Sequence, residues 1–118
     1  HEICLEALAA CEDKLKVGNT VGDVFEQHRF VIDKTKFKSA RLNACGYSLG
    51  ATFAPSWMDG PMLYENNPVL IQKNHVFFMH MILMRSETQT AMNLGETYIV
   101  SKTGCERLGK LKLDLVVG

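Results

Sequence analysis

Apolar residues in the first third of the chain recur at helical spacing. Cys4, Leu8, Cys11 and Leu15 follow one another at intervals of four, three and four, and Ile3 and Ala7 widen the stripe. That pattern is one helix face turned toward a core, and it makes Cys4 and Cys11 buried thiols. Val17-Gly18-Asn19 ends the helix, Gly18 suiting a left-handed closing position. Thr20 opens a second helix with Asp23 three residues on, a capping box with Asp in place of Glu. Val21, Val24, Phe25, His28, Val31 or Ile32, and Thr35 form its inner face. His28 in that stripe reads as a hydrogen-bonded core or boundary histidine rather than a ligand.

From Phe37 onward the helical period is lost. Arg41 to Ser48 reads as a strand, while residues 51–74 hold all three prolines (Pro55, Pro61, Pro68) and predict mainly ordered loop. Val76 to Met84 is a nearly unbroken apolar run, which predicts a strand covered on both faces. Ser86 to Thr90 is polar and turn-like, Glu96 to Ser101 is a further strand, and Thr103-Gly104 is a hairpin turn. Lys112 to Val117 reads as a closing strand. Two helices followed by an antiparallel sheet predict an α+β domain with the helices on one face. Residues 1–118 form one such domain, without internal repeats.

Composition narrows the classes of partner. Lysine plus arginine and aspartate plus glutamate stand at 13 each in 118 residues, so no net field draws the chain to nucleic acid or to an anionic membrane. Runs such as Val76-Phe77-Phe78-Met79 are too short to span a bilayer. Cys4, Cys11, Cys45 and Cys105 include no paired Cys-x-x-Cys spacing, which disfavours structural zinc and fits a reducing, cytoplasmic setting. His1-Glu2 opens directly into helical periodicity without a cap or leader, so an upstream segment is expected.

The residues with chemistry are Gly46-Tyr47-Ser48-Leu49-Gly50, Ala54-Pro55-Ser56-Trp57 and Leu94-Gly95-Glu96-Thr97. Before them stand Lys16-Val17-Gly18 and Thr20-Val21-Gly22-Asp23-Val24; between and after them stand Phe77-Phe78-Met79-His80 and Thr103-Gly104-Cys105-Glu106-Arg107-Leu108. In this order, over about residues 1–108, the set resembles the C-terminal half of the pita-bread metallohydrolases. That family includes methionine aminopeptidase, Xaa-Pro dipeptidase, aminopeptidase P and creatinase. Gly-Tyr-x-x-Gly followed by Pro-x-Trp is similar to a subgroup with ectoine hydrolase and dimethylsulfoniopropionate lyase, with Ala54 replacing that subgroup's first proline.

The resemblance implies two divalent metals (Mn, Co, Fe or Zn) held by two Asp, one His and two Glu. The Asp ligands belong to an N-terminal half that this chain lacks. The family His falls on Tyr47, the first Glu on His80 and the second Glu on Glu96, while the substrate-facing His falls on Ala54. Glu96 and His80 are thereby the metal candidates, and Tyr47 and His80 the catalytic ones. A phenol ligates poorly at its ordinary pKa of about 10. Without that chemistry, Glu96 is an exposed strand residue, His80 a core histidine, Tyr47 and Trp57 packing residues, His75 a loop or strand-edge residue, and Met79, Met81 and Met84 core filler.

Three functions follow from the resemblance. In the first, metal-bound hydroxide in the parent protein attacks an amide-type carbonyl. The second is a pseudoenzyme scaffold that binds peptides or proteins, and the third a lyase-type small-molecule reaction. Half a pita-bread sheet leaves an apolar face bare, so the N-terminal half or a second chain, as in a homodimer, is the expected cover.

Overall fold

A computed structural model describes residues 1–51 and 55–118. Helix α1 (Glu2–Lys14) and helix α2 (Val21–Asp33) lie where the periodicity puts them. The Thr20 hydroxyl accepts the Asp23 N–H at 3.1 Å, and Asp23 Oδ2 accepts the Thr20 N–H at 2.7 Å. This reciprocal cap satisfies two donors that the first turn would otherwise leave open. A short 3-10 turn, Lys38–Ala40, leads into the sheet.

The strands are β1 (Ala44–Leu49), β2 (Met58–Tyr64), β3 (Val76–Arg85), β4 (Thr90–Val100) and β5 (Cys105–Arg107). They pair antiparallel in the order β2-β1-β3-β4-β5. Both helices pack on one face, α1 over β3 and β4 and α2 over β1 and β2, with Phe77, Met79, Met81 and Leu83 of β3 buried on that side. Cys4, Ala7, Leu8, Cys11 and Leu15 complete this core with Val24, Phe25 and Ile32. Full burial of each large apolar side chain contributes about 1.5–3 kcal/mol, so this one layer carries the stability. Among the described residues no helix is long and apolar enough to cross a membrane.

Several expectations need correction. The predicted loop contains β2, an edge strand that Pro61 and the positive φ of Gly60 disguise. Strand β4 begins at Thr90, six residues before the predicted start, because it pairs with β3 along that whole strand. Strand β3 is covered on one face and half-covered on the other, with Met84 55% exposed rather than core filler. Lys112–Val117 forms no strand, since nothing among the described residues pairs with it. Leu113 packs on the core instead, and its carbonyl bonds His1 Nε2 at 2.8 Å. His28 is fully buried as expected, but neither ring nitrogen finds a hydrogen-bond partner among the described residues.

Candidate functional site

The face of the sheet away from the helices is set by pairing register. Residues directly opposite in an antiparallel ladder share a face. Tyr47 lies opposite Phe78, and His80 opposite Gly95. Tyr47 reaches this face because the register of β1 shifts between Ala44 and Tyr47, the signature of a bulge that re-aims a side chain. Cys45, within the shifted stretch, is buried toward the helices; burial and the neighbouring Cys11 push its thiol well above the ordinary range.

Two glycines permit the close packing. A Cβ on Gly46 would run into the Phe78 carbonyl oxygen and lie 3.0 Å from Met79 Cα. On Gly95 a Cβ would collide with the Phe78 ring, whose Cε2 lies 3.0 Å from that position. Phe78 therefore covers the place directly across the ladder from His80.

Tyr47, Phe78 and His80 form a cluster of rings. Centroids are 5.5 Å apart for Tyr47 and Phe78, 5.7 Å for Tyr47 and His80, and 6.0 Å for Phe78 and His80. Trp57 Nε1 donates to Tyr47 Oη at 3.0 Å, so an exposed indole extends the cluster to the rim. His80 is 9% exposed. Burial holds its pKa below the ordinary histidine value, partly opposed by a bond to its own backbone, so the ring is neutral near pH 7. Its Nδ1 has no partner among the described residues.

Glu96 lies elsewhere. It pairs with Met79, on the helix face, and stands two residues before Tyr98, whose hydroxyl donates to Glu12 Oε2 of α1 at 3.0 Å. Burial and the Glu12 carboxylate raise the Tyr98 pKa well above the usual phenol range. The Glu96 side chain is 13% exposed, with Arg107 Nη1 3.8 Å from Oε1, and Gly109 passes so close that a Cβ there would strike the carboxylate. In this register Glu96 and His80, expected to share a metal, stand on opposite faces of the sheet. Tyr47 and His80 are brought together; Glu96 is not brought to them.

The donor set fits a dinuclear metal centre poorly. Such a centre needs several anionic oxygens converging on one face, and this face presents three aromatic side chains and a neutral imidazole. Among the described residues no group of three or more His, Cys, Asp or Glu could hold an ion. Ala54, expected at the substrate-facing position, lies outside the described residues. His75 lies in the loop immediately before β3, its Nδ1 accepting the Gln72 N–H at 3.3 Å. Phe78 and Gly95 were missed as site residues; the available signal was a glycine inside a strand, which marks a close approach.

Residues 1–102 match the model of metallopeptidase family M24. No curated protein matches the sequence. Among solved structures, an X-Pro aminopeptidase from Thermotoga maritima superposes with a TM-score of 0.86 at 22% identity, covering 97% of this chain and 31% of that one. An Xaa-Pro dipeptidase from Bacillus anthracis gives 0.87 at 16% identity, covering 98% and 31%. The N-terminal domain of a FACT complex subunit from chickpea, Cicer arietinum, gives 0.75 at 19% identity, covering 90% and 26%. The chain thus has the fold of these proteins and spans about a third of their length or less.

Proposed function

Because the chain belongs to metallopeptidase family M24, we propose that it is part of a pita-bread protein whose sheet face binds peptides or a protein partner without hydrolysing them. The observation that carries this reading is the ring cluster of Tyr47, Phe78 and His80 beside Gly95. Aromatic side chains, Trp and Tyr above all, dominate recognition surfaces because they bury large area at low entropic cost. Trp57 and Tyr47 supply such a pair here, joined by a hydrogen bond. The resemblance to a domain of a protein complex's subunit supports the same reading.

Among the described residues β5 pairs with Tyr98 to Val100, and no strand covers the outer edge of β4 over residues 90–96. An open edge invites pairing. The N-terminal half of the parent protein, or a second copy of this chain in a homodimer, is the cover we assign to it.

A second reading is a divergent hydrolase, favoured by the buried, unpartnered Nδ1 of His80. In it His80 ligates a metal whose other donors come from the rest of the parent. The Tyr47–Trp57 pair favours, within that reading, the small-molecule lyase and hydrolase subgroup.

Xaa-Pro dipeptides offered to the full protein with manganese separate the two. Recognition without turnover predicts saturable quenching of Trp57 emission, absent in Trp57→Phe, and no release of proline. Turnover that disappears in His80→Ala would establish the second reading in its place.

A further inference from the structure

Cations and acids balance over the whole chain at 13 each, yet they are unevenly placed. The segment after α2 sets Lys34, Lys36, Lys38 and Arg41 within eight residues without an acid among them. Arg41 is neutralised, donating to both oxygens of Asp33 at 2.6 and 3.3 Å. The three lysines are exposed, and none joins an ion pair among the described residues.

Local structure keeps them together. The Thr35 hydroxyl donates to the Ile32 carbonyl at 2.8 Å and accepts the Phe37 N–H at 3.1 Å, which turns the chain tightly at the end of α2. Phe37 packs on the core from that turn, so its neighbours Lys36 and Lys38 are left in solvent. Lys36, Lys38, Ser39, Arg41 and Asn43 line an open hollow of about 550 Å³. At the end of α2, just before these residues in the chain, Lys34 Nζ stands 3.3 Å above the ring of Phe30, which is 57% exposed.

We propose that this surface binds an acidic, partly apolar peptide segment of a partner protein. Carboxylates face Lys36 and Lys38, with the Ser39 hydroxyl and Asn43 amide as further hydrogen-bonding groups, and an apolar side chain meets the open edge of Phe30. Nucleic acid fits less well. The chain has no net charge to concentrate a polyanion around it, and Lys34 occupies the ring face on which a base would stack.

The test is fluorescence anisotropy of a labelled peptide of alternating Glu and Leu, titrated with the full protein. Binding should weaken as salt rises from about 0.05 to 0.3 M, as expected for exposed charge pairs. The combined Lys34→Gln, Lys36→Gln and Lys38→Gln variant should bind about tenfold more weakly, since three exposed pairs each contribute modestly. The combined Lys73→Gln, Lys102→Gln and Lys112→Gln variant, altered at exposed lysines elsewhere, should bind as wild type does. Equal affinity for a Gln-Leu peptide, equal weakening in both variants, or tighter binding of a single-stranded DNA oligonucleotide would each overturn the proposal. All six substitutions are at exposed positions, so loss of folding does not cloud the result.

Discussion

Replacing His28 by leucine should stabilise the protein and remove much of its sensitivity to mild acid. His28 is fully buried on α2, its ring 5.4 Å from that of Phe25, with both nitrogens unpartnered among the described residues. Burial, then the positive charge of Arg41, then His80 lower its pKa to about 4, against a weaker opposing effect of Asp33. In the folded state the ring is therefore neutral down to about pH 4, while in the unfolded chain it gains a proton below about 6.5. The unfolded state binds more protons between these values, so stability falls as pH falls through that window. From the two pKa values the loss is roughly 2 kcal/mol by about pH 5 and roughly 3 once both states are protonated. His80 is shifted in the same direction and adds loss of the same sign. The lowered carboxylates Asp23, Glu26 and Asp33 lose their contribution only below their ordinary values of 3.8 to 4.5, so the upper part of the window belongs to the histidines. At neutral pH, His28→Leu also removes two buried nitrogens without partners, worth about 1–3 kcal/mol, and keeps an apolar side chain of similar size. Urea midpoints measured from pH 7 down to about 5 should fall for wild type and stay flatter for His28→Leu. Parallel curves, or a variant less stable at pH 7, would refute the argument and mean that the ring has a bound partner such as water.

Two further outcomes follow from packing. Gly46→Ala should destabilise by about 1–3 kcal/mol in chemical unfolding, because its Cβ meets backbone of β3 that cannot rotate away; an unchanged midpoint would show that β1 and β3 are less closely apposed. Cys4, Cys11 and Cys45 are fully buried, and burial with the nearby Glu12 and Asp13 carboxylates pushes the Cys105 thiol to about 11, so all four should resist iodoacetamide until the chain unfolds. Fast labelling of any one of them in native buffer would contradict its placement.

The helices were legible because their signals are local. The Cys4, Leu8, Cys11, Leu15 stripe and the Thr20–Asp23 cap each need only a few neighbouring residues to act. The sheet was legible where one strand is apolar enough to announce itself, as Val76–Arg85 is. It was not legible at Met58–Tyr64, where Asp59, Gly60 and Pro61 read as loop and pairing with β1 makes the strand. The reading of Lys112 to Val117 as a strand misled in the opposite direction, for an apolar segment makes no strand without a partner to pair with. The geometry of the site was hidden for the same reason. Tyr47 and His80 share a face, whereas Glu96 is one position out of step with them, opposite Met79 rather than His80. A register shift in β1 and a glycine under the Phe78 ring decide that geometry, and both depend on residues distant in sequence.

Metal stoichiometry tests the central claim most directly. The full protein, reconstituted separately with manganese, cobalt, iron and zinc and then dialysed, should retain no stoichiometric metal by elemental analysis, and His80→Ala and Glu96→Gln should match wild type. One or two ions per chain, lost when His80 is replaced, would contradict the account and restore the sheet face to metal chemistry.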